Sequence, residues 1–162
     1  MSSNVSQAIN LAAKQVTFGR AKEALATLAR MGTDPEASPY GLMQIRIVRG
    51  CAQAALGQFE KARVDLDFAV AHPLDDPAAI AALKLCIGDE NGAAASYVVR
   101  LGNPDTRRIA ILELAEYDAR DRRAPVGPFD PALDRLRKRP DVIAAMRAAG
   151  GPVRIHLRRD PF

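Results

Sequence analysis

The chain has 162 residues, 48% of them hydrophobic and 26% charged, enough for a folded core that needs no metal or disulfide. Aromatic residues make up only 5%, tryptophan is missing and alanine is abundant, which favours closely packed helices and excludes a β-sandwich built on valine, threonine and aromatics. Residues 1–119 hold 12 basic and 14 acidic side chains and residues 120–162 hold 11 and 5, so the net +4 belongs to the C-terminal quarter and excludes a uniformly basic nucleic-acid surface.

The opening MSSNVSQAINLAAKQ is polar and lacks a charged start leading into an apolar run, so no secretory leader is expected. No stretch approaches the ~18 uninterrupted apolar residues of a membrane span, and no membrane partner is expected. Apolar periodicity predicts helices over 4–17, 20–31, 39–56, 58–71, 77–87, 91–101 and 104–119, with two shorter ones over 131–138 and 140–149. Four starts are marked by a capping residue followed by proline: Ser38-Pro39, Asp76-Pro77, Asn103-Pro104 and Asp130-Pro131. There the polar side chain accepts from exposed first-turn N–H groups, and proline has no N–H to orphan. Gly32, Gly57, Gly88 and Gly102 mark helix ends. Phe59, Ala62, Leu66, Ala69 and Val70 form the stripe of the fourth helix, and Ile109, Leu112, Ala115 and Ala119 that of the seventh. Only Val153–Leu157 alternates like a strand, too short and isolated to change an all-α class. Cys51 and Cys86 lie in apolar helical stretches, where reduced core thiols of a cytoplasmic protein are expected.

An internal repeat is present. A shift of 38 residues places Gly19 on Gly57, Ala24 on Ala62, Leu28 on Leu66 and Pro35 on Pro73. Glycine makes the inter-helix turn, alanine lets the two helices approach, leucine fills the space between them, and proline stops the second helix. The clearer copy, GCAQAALGQFEKARVDLDFAVAHP (50–73), resembles the tetratricopeptide (TPR) repeat, with Gly50, Gly57, Phe59, Ala62, Leu66, Ala69 and Pro73 at or one place from the family's small, aromatic and terminating positions. Gln53 departs from the family's large apolar residue, Ala21 stands in the aromatic slot of the first copy, and the spacing exceeds the usual 34 or so residues. A shortened third pair spans 77–101. FDPALDRLRKRPDVIAAM (129–146) is similar to segments that close TPR arrays in some bacterial regulators. ALKLCIGDENGAAASYVVRLGNPD (82–105) looks similar to small TPR-like proteins of type III secretion, which are cytosolic chaperones.

The resemblance implies an all-α solenoid of antiparallel helix pairs over 1–119, a linker over 120–130, and a short helical cap with a basic tail over 131–162. It implies a non-enzymatic binding module, an adaptor or chaperone whose first helices line a groove for a partner protein or peptide. The family's groove positions fall on Ile9, Ala13, Ile47, Cys51 and Ala54. The Lys and Asn that let some TPR domains clamp a carboxylate are missing there, so the expected groove is apolar. The same residues would equally serve a core covered by the protein's own helices.

Signals for catalysis are poor, and neither cofactor nor metal is expected. His72 ends a helix beside Pro73, and His156 lies in a basic tail. Neither has metal-ligand spacing with a cysteine or carboxylate. Asp65 and Asp67 are two apart on a helix and read as a solvated face. Gly88–Gly92 lacks the alternating ligands of a calcium loop and reads as a turn. The basic clusters Arg120, Arg122, Arg123 and Arg135, Arg137, Lys138, Arg139 admit an alternative, a nucleic-acid-associated regulator. Interspersed aspartates and the shortage of stacking aromatics favour a solvated face or docking onto the slightly acidic body.

Overall fold

The computed structural model of the chain describes residues 5–31, 37–117, 127, 130–152 and 154–155. Among these the protein is all-α. Three helix pairs come first: α1 (Val5–Thr17) with α2 (Ala21–Ala29), α3 (Pro39–Ala55) with α4 (Phe59–Ala71), and α5 (Ala79–Ile87) with α6 (Glu90–Gly102). Then follow α7 (Pro104–Leu114), α8 (Asp130–Leu136) and α9 (Pro140–Ala148). Two two-residue strands, β1 (Glu116–Tyr117) and β2 (Arg154–Ile155), pair in parallel. No helix among the described residues is long and apolar enough to cross a membrane.

The three pairs turn by the same backbone chemistry. The N–H of Gly19 donates to the Val16 carbonyl, that of Gly57 to Ala54, and that of Gly88 to Leu85. The next N–H reaches back five residues each time: Arg20 to Gln15, Gln58 to Gln53, Asp89 to Lys84. This double closure satisfies orphan carbonyls and requires a left-handed residue, which glycine supplies at φ of +72°, +73° and +84°. One turn later Ala24 and Ala62 are fully buried, and Leu28 and Leu66 pack inward behind them.

Each of the first six helices packs on the next, and the first helices of neighbouring pairs also touch, α1 on α3 and α3 on α5. Helices α8 and α9 pack on α6, where Ala132, Leu136, Val142 and Met146 join Tyr97, Leu101 and Leu114 in one apolar cluster. Arg135 donates to Glu90 at 3.0 Å and Arg139 to Asn91 at 2.8 Å, both on α6. Arg137 donates to the Leu114 carbonyl at 3.1 Å, satisfying an orphan acceptor at the end of α7.

The structure corrects several expectations. The thiols of Cys51 and Cys86 are not free: they form a disulfide between α3 and α5, with Cα atoms 5.0 Å apart. Cys51 faces the neighbouring first helix, and a 35-residue separation hid that proximity. Asp65 is no solvated residue: only 1% of it is exposed, and Arg46 and Arg49 of α3 both hold its carboxylate, while Asp67 is exposed as expected. Helix α7 ends at Leu114, because Ala115 turns extended and leads into β1. Its buried face is Ala110 and Leu114, whereas Ile109 and Leu112 are exposed. In the α4 stripe Phe59 and Val70 are likewise exposed. Helix α5 begins at Ala79, since Asp76 closes a turn onto the Ala78 N–H before the helix starts. Arg154–Ile155 is strand-like as expected but not isolated, being paired with β1. Gly32, Pro35, Ala119 and His156, and the linker apart from Gly127 and Asp130, lie outside the described residues.

The bridge closes a loop of about 35 residues, which constrains the unfolded chain by roughly 2–4 kcal/mol. Cys51→Ala/Cys86→Ala should therefore lower the unfolding free energy by that amount in a urea titration. Equal midpoints for the two proteins would contradict the bridge.

Candidate functional site

A pocket of about 640 Å³ opens where α3, α5 and α7 converge. Tyr40, Gln44 and Ile47 come from α3, and Ala82 and Leu85 from α5. Asp105, Thr106, Ile109 and Glu113 come from α7, and Leu133 from α8. Tyr97 and Arg100 of α6 and the Asp76–Ala78 turn complete it. The lining is mostly apolar with a few convergent polar groups, and the volume falls in the range of ligand sites.

Two polar assemblies stand in this apolar frame. Arg100, 5% exposed, makes a bidentate pair with Glu113, its two terminal nitrogens donating at 2.7 and 2.8 Å. Burial alone would lower its pKa, but the bonds and charge of Glu113 hold it above its ordinary value. Its Nε, also buried, finds no acceptor. Asp76, 8% exposed, accepts from Gln44 Nε2 at 2.7 Å and from the Ala78 N–H at 2.9 Å. Burial pushes its pKa up, and the Glu113 charge adds to the rise. Tyr97 is buried beside Arg100, whose guanidinium lies 5.2 Å from the ring centroid. Burial holds the phenol above its ordinary range. Among the described residues no group of histidine, cysteine and carboxylates is arranged to hold a metal ion.

The groove residues read from the sequence divide. Ile47 lines this pocket. Ile9 and Cys51 are buried in the cluster between the first two pairs, with Ala13 packed against it, and Ala54 is buried too. None of these four lines the pocket, and Ile9, Cys51 and Ala54 are covered by the protein's own helices. Of the basic residues, Arg120, Arg122 and Arg123 lie outside the described residues. Arg135, Arg137 and Arg139 are engaged with protein groups, and Lys138 is exposed.

Sequence reasoning missed Asp76, Tyr97, Arg100 and Glu113. Asp76 was legible as a cap and not as a pocket wall. Arg100 did carry a signal: it stands three residues after Tyr97, on the face that Ala93, Ala94, Tyr97 and Leu101 bury. A charge in an apolar stripe must find a partner, and that partner sits on the following helix. Compared with protein-family models, curated proteins and solved structures, the chain matches none of them.

An acid whose folded pKa is raised binds its proton more tightly in the fold than in the unfolded chain. Folding stability at Asp76 is therefore lost as pH rises through that range, and at neutral pH the buried charge is a net cost. Asp76→Asn should raise the melting temperature at pH 7, with the gain shrinking as pH falls toward the ordinary aspartate range. A variant less stable than the parent at pH 7 would show the carboxylate to be a structural anchor.

Proposed function

We infer that this chain is a non-enzymatic protein-binding module whose helix pairs stack as a TPR-like solenoid closed by α8 and α9. It takes an amphipathic segment of a partner in the pocket between α3, α5 and α7. The observation that carries the reading is the position of that pocket, walled by the first helix of the second pair, the first helix of the third pair and the helix after it. First helices of successive pairs form the concave side of such a solenoid. The identical turns at Gly19, Gly57 and Gly88 support the repeat, as does contact between neighbouring first helices. Exposed Tyr40 and Ile109 at the pocket give a partner segment apolar surface to cover.

An escort role, as in the type III secretion chaperones the sequence resembles, is one form of this reading. The nucleic-acid alternative has less support, because Arg135, Arg137 and Arg139 already serve as ties between α8–α9 and the body. A cytoplasmic setting would reduce the Cys51–Cys86 bridge and leave the α3–α5 contact to packing alone.

Ile109 is 52% exposed, so a charge placed there stays hydrated and the fold survives. In selection from a random peptide display library, the parent should enrich amphipathic sequences. Ile109→Asp should bind the enriched peptides at least about tenfold more weakly with an unchanged circular dichroism spectrum. Equal binding by the folded variant would remove the pocket from the function.

A further inference from the structure

The pocket is unbalanced in charge. Its wall carries three carboxylates, Asp76, Asp105 and Glu113, against one guanidinium, that of Arg100. Glu113 takes both terminal nitrogens of Arg100. Among the described residues no cation pairs with Asp76 or Asp105. Asp76 is the consequential one, because it is buried and its charge is poorly screened by solvent. Its two oxygens accept one hydrogen bond each, from Gln44 and Ala78, although a carboxylate offers about four acceptor sites. The spare capacity suits a donor-rich cation. A carboxylate ligand would meet like charge, and the terminal nitrogens that could greet it are already bound to Glu113.

A second observation is independent of the acidic groups. The buried Nε of Arg100 is a donor with no acceptor. A peptide, unlike a bare ammonium or metal ion, brings a carbonyl oxygen next to each side chain, which can accept from this Nε once the Arg100 side chain shifts to expose it.

Resting on the binding-module reading above, we propose that the partner segment carries a lysine or arginine within an otherwise apolar run. That side chain enters the pocket toward Asp76, with Asp105 at the rim, while its apolar neighbours lie on Ile47, Ile109 and Leu133. The assignment gives the buried Asp76 charge, otherwise a cost to the fold, a positive task.

The test uses the full chain with its disulfide intact. The best peptide from a display selection is synthesised in its selected form and with its basic residue replaced by norleucine, and both are titrated by calorimetry. The basic form should bind the parent protein about tenfold or more tightly than the norleucine form. Asp76→Asn should abolish most of that ratio. Asp105→Asn, an exposed change that cannot unfold the core, should reduce the ratio partially, and raising the salt concentration should do the same. A selected consensus that is purely apolar or acidic would overturn the proposal, as would a ratio near one or a ratio unaltered in both variants. Each of these leaves the binding module standing. No enrichment of any peptide by the parent protein would instead overturn the binding module itself, and this proposal with it.

Discussion

Three consecutive residues of α3 hold the second and third helix pairs together, and the rest of the structure depends on them. Arg49 donates to the buried carboxylate of Asp65 on α4 at 2.9 Å. Gly50 lies where a Cβ would come within 2.5 Å of Leu83 Cδ2 on α5 and 3.4 Å of Asp65 Cβ. Cys51 is bonded to Cys86 at the end of α5. Glycine inside a helix costs roughly 0.5–1 kcal/mol against alanine, and here that cost allows three helices to meet in one place. Ile47, one turn earlier on α3, and Leu85, beside Cys86, are then fixed in the wall of the pocket.

Arginine is used for assembly in several places. Arg46 and Arg49 hold Asp65, and the Arg46 guanidinium also lies 3.7 Å from the centroid of the Phe68 ring, on which His72 stacks. That stack, with His72 Nδ1 2.9 Å from the Phe68 carbonyl, holds the histidine at the end of α4. Arg135 and Arg139 tie α8 and α9 to α6. Guanidinium suits such work because its planar fork makes several bonds while its stem packs on apolar surface. The excess positive charge of the C-terminal quarter is thus, in the described part, partly answered by the acidic body.

Most of the architecture was legible in the sequence, because local chemistry dictates it. Ser38 and Asn103 accept from the first-turn N–H groups of Gly41 and Asp105, as any such cap before proline would. Gly19 and Gly57 mark turns that only glycine makes cheaply. What could not be read were contacts between elements distant along the chain. Nothing near Cys51 announces Cys86, and nothing near Asp65 announces two arginines on the preceding helix. The pocket was legible only at Ile47: helical spacing says that a residue is apolar on one face, and not whether that face meets another helix or an opening. Ile9, Cys51 and Ala54 have the same signature as Ile47 and are core. Asp76 and Glu113 belong to different elements and become one site only when α3, α5 and α7 converge.

The central claim is that the close approach at Gly50 sets the α3–α4–α5 arrangement. Hydrogen exchange of Gly50→Val against the parent tests it most directly. Leu83 is fully buried and its Cδ2 methyl must shift within packed surroundings to admit the added side chain, which should overpack the junction by roughly 1–3 kcal/mol. Amides of α3, α4 and α5 should lose protection together, while those of α8 and α9 keep theirs. Unchanged protection across the three helices would contradict the account, because the junction would then tolerate a side chain where the fold leaves space only for hydrogen.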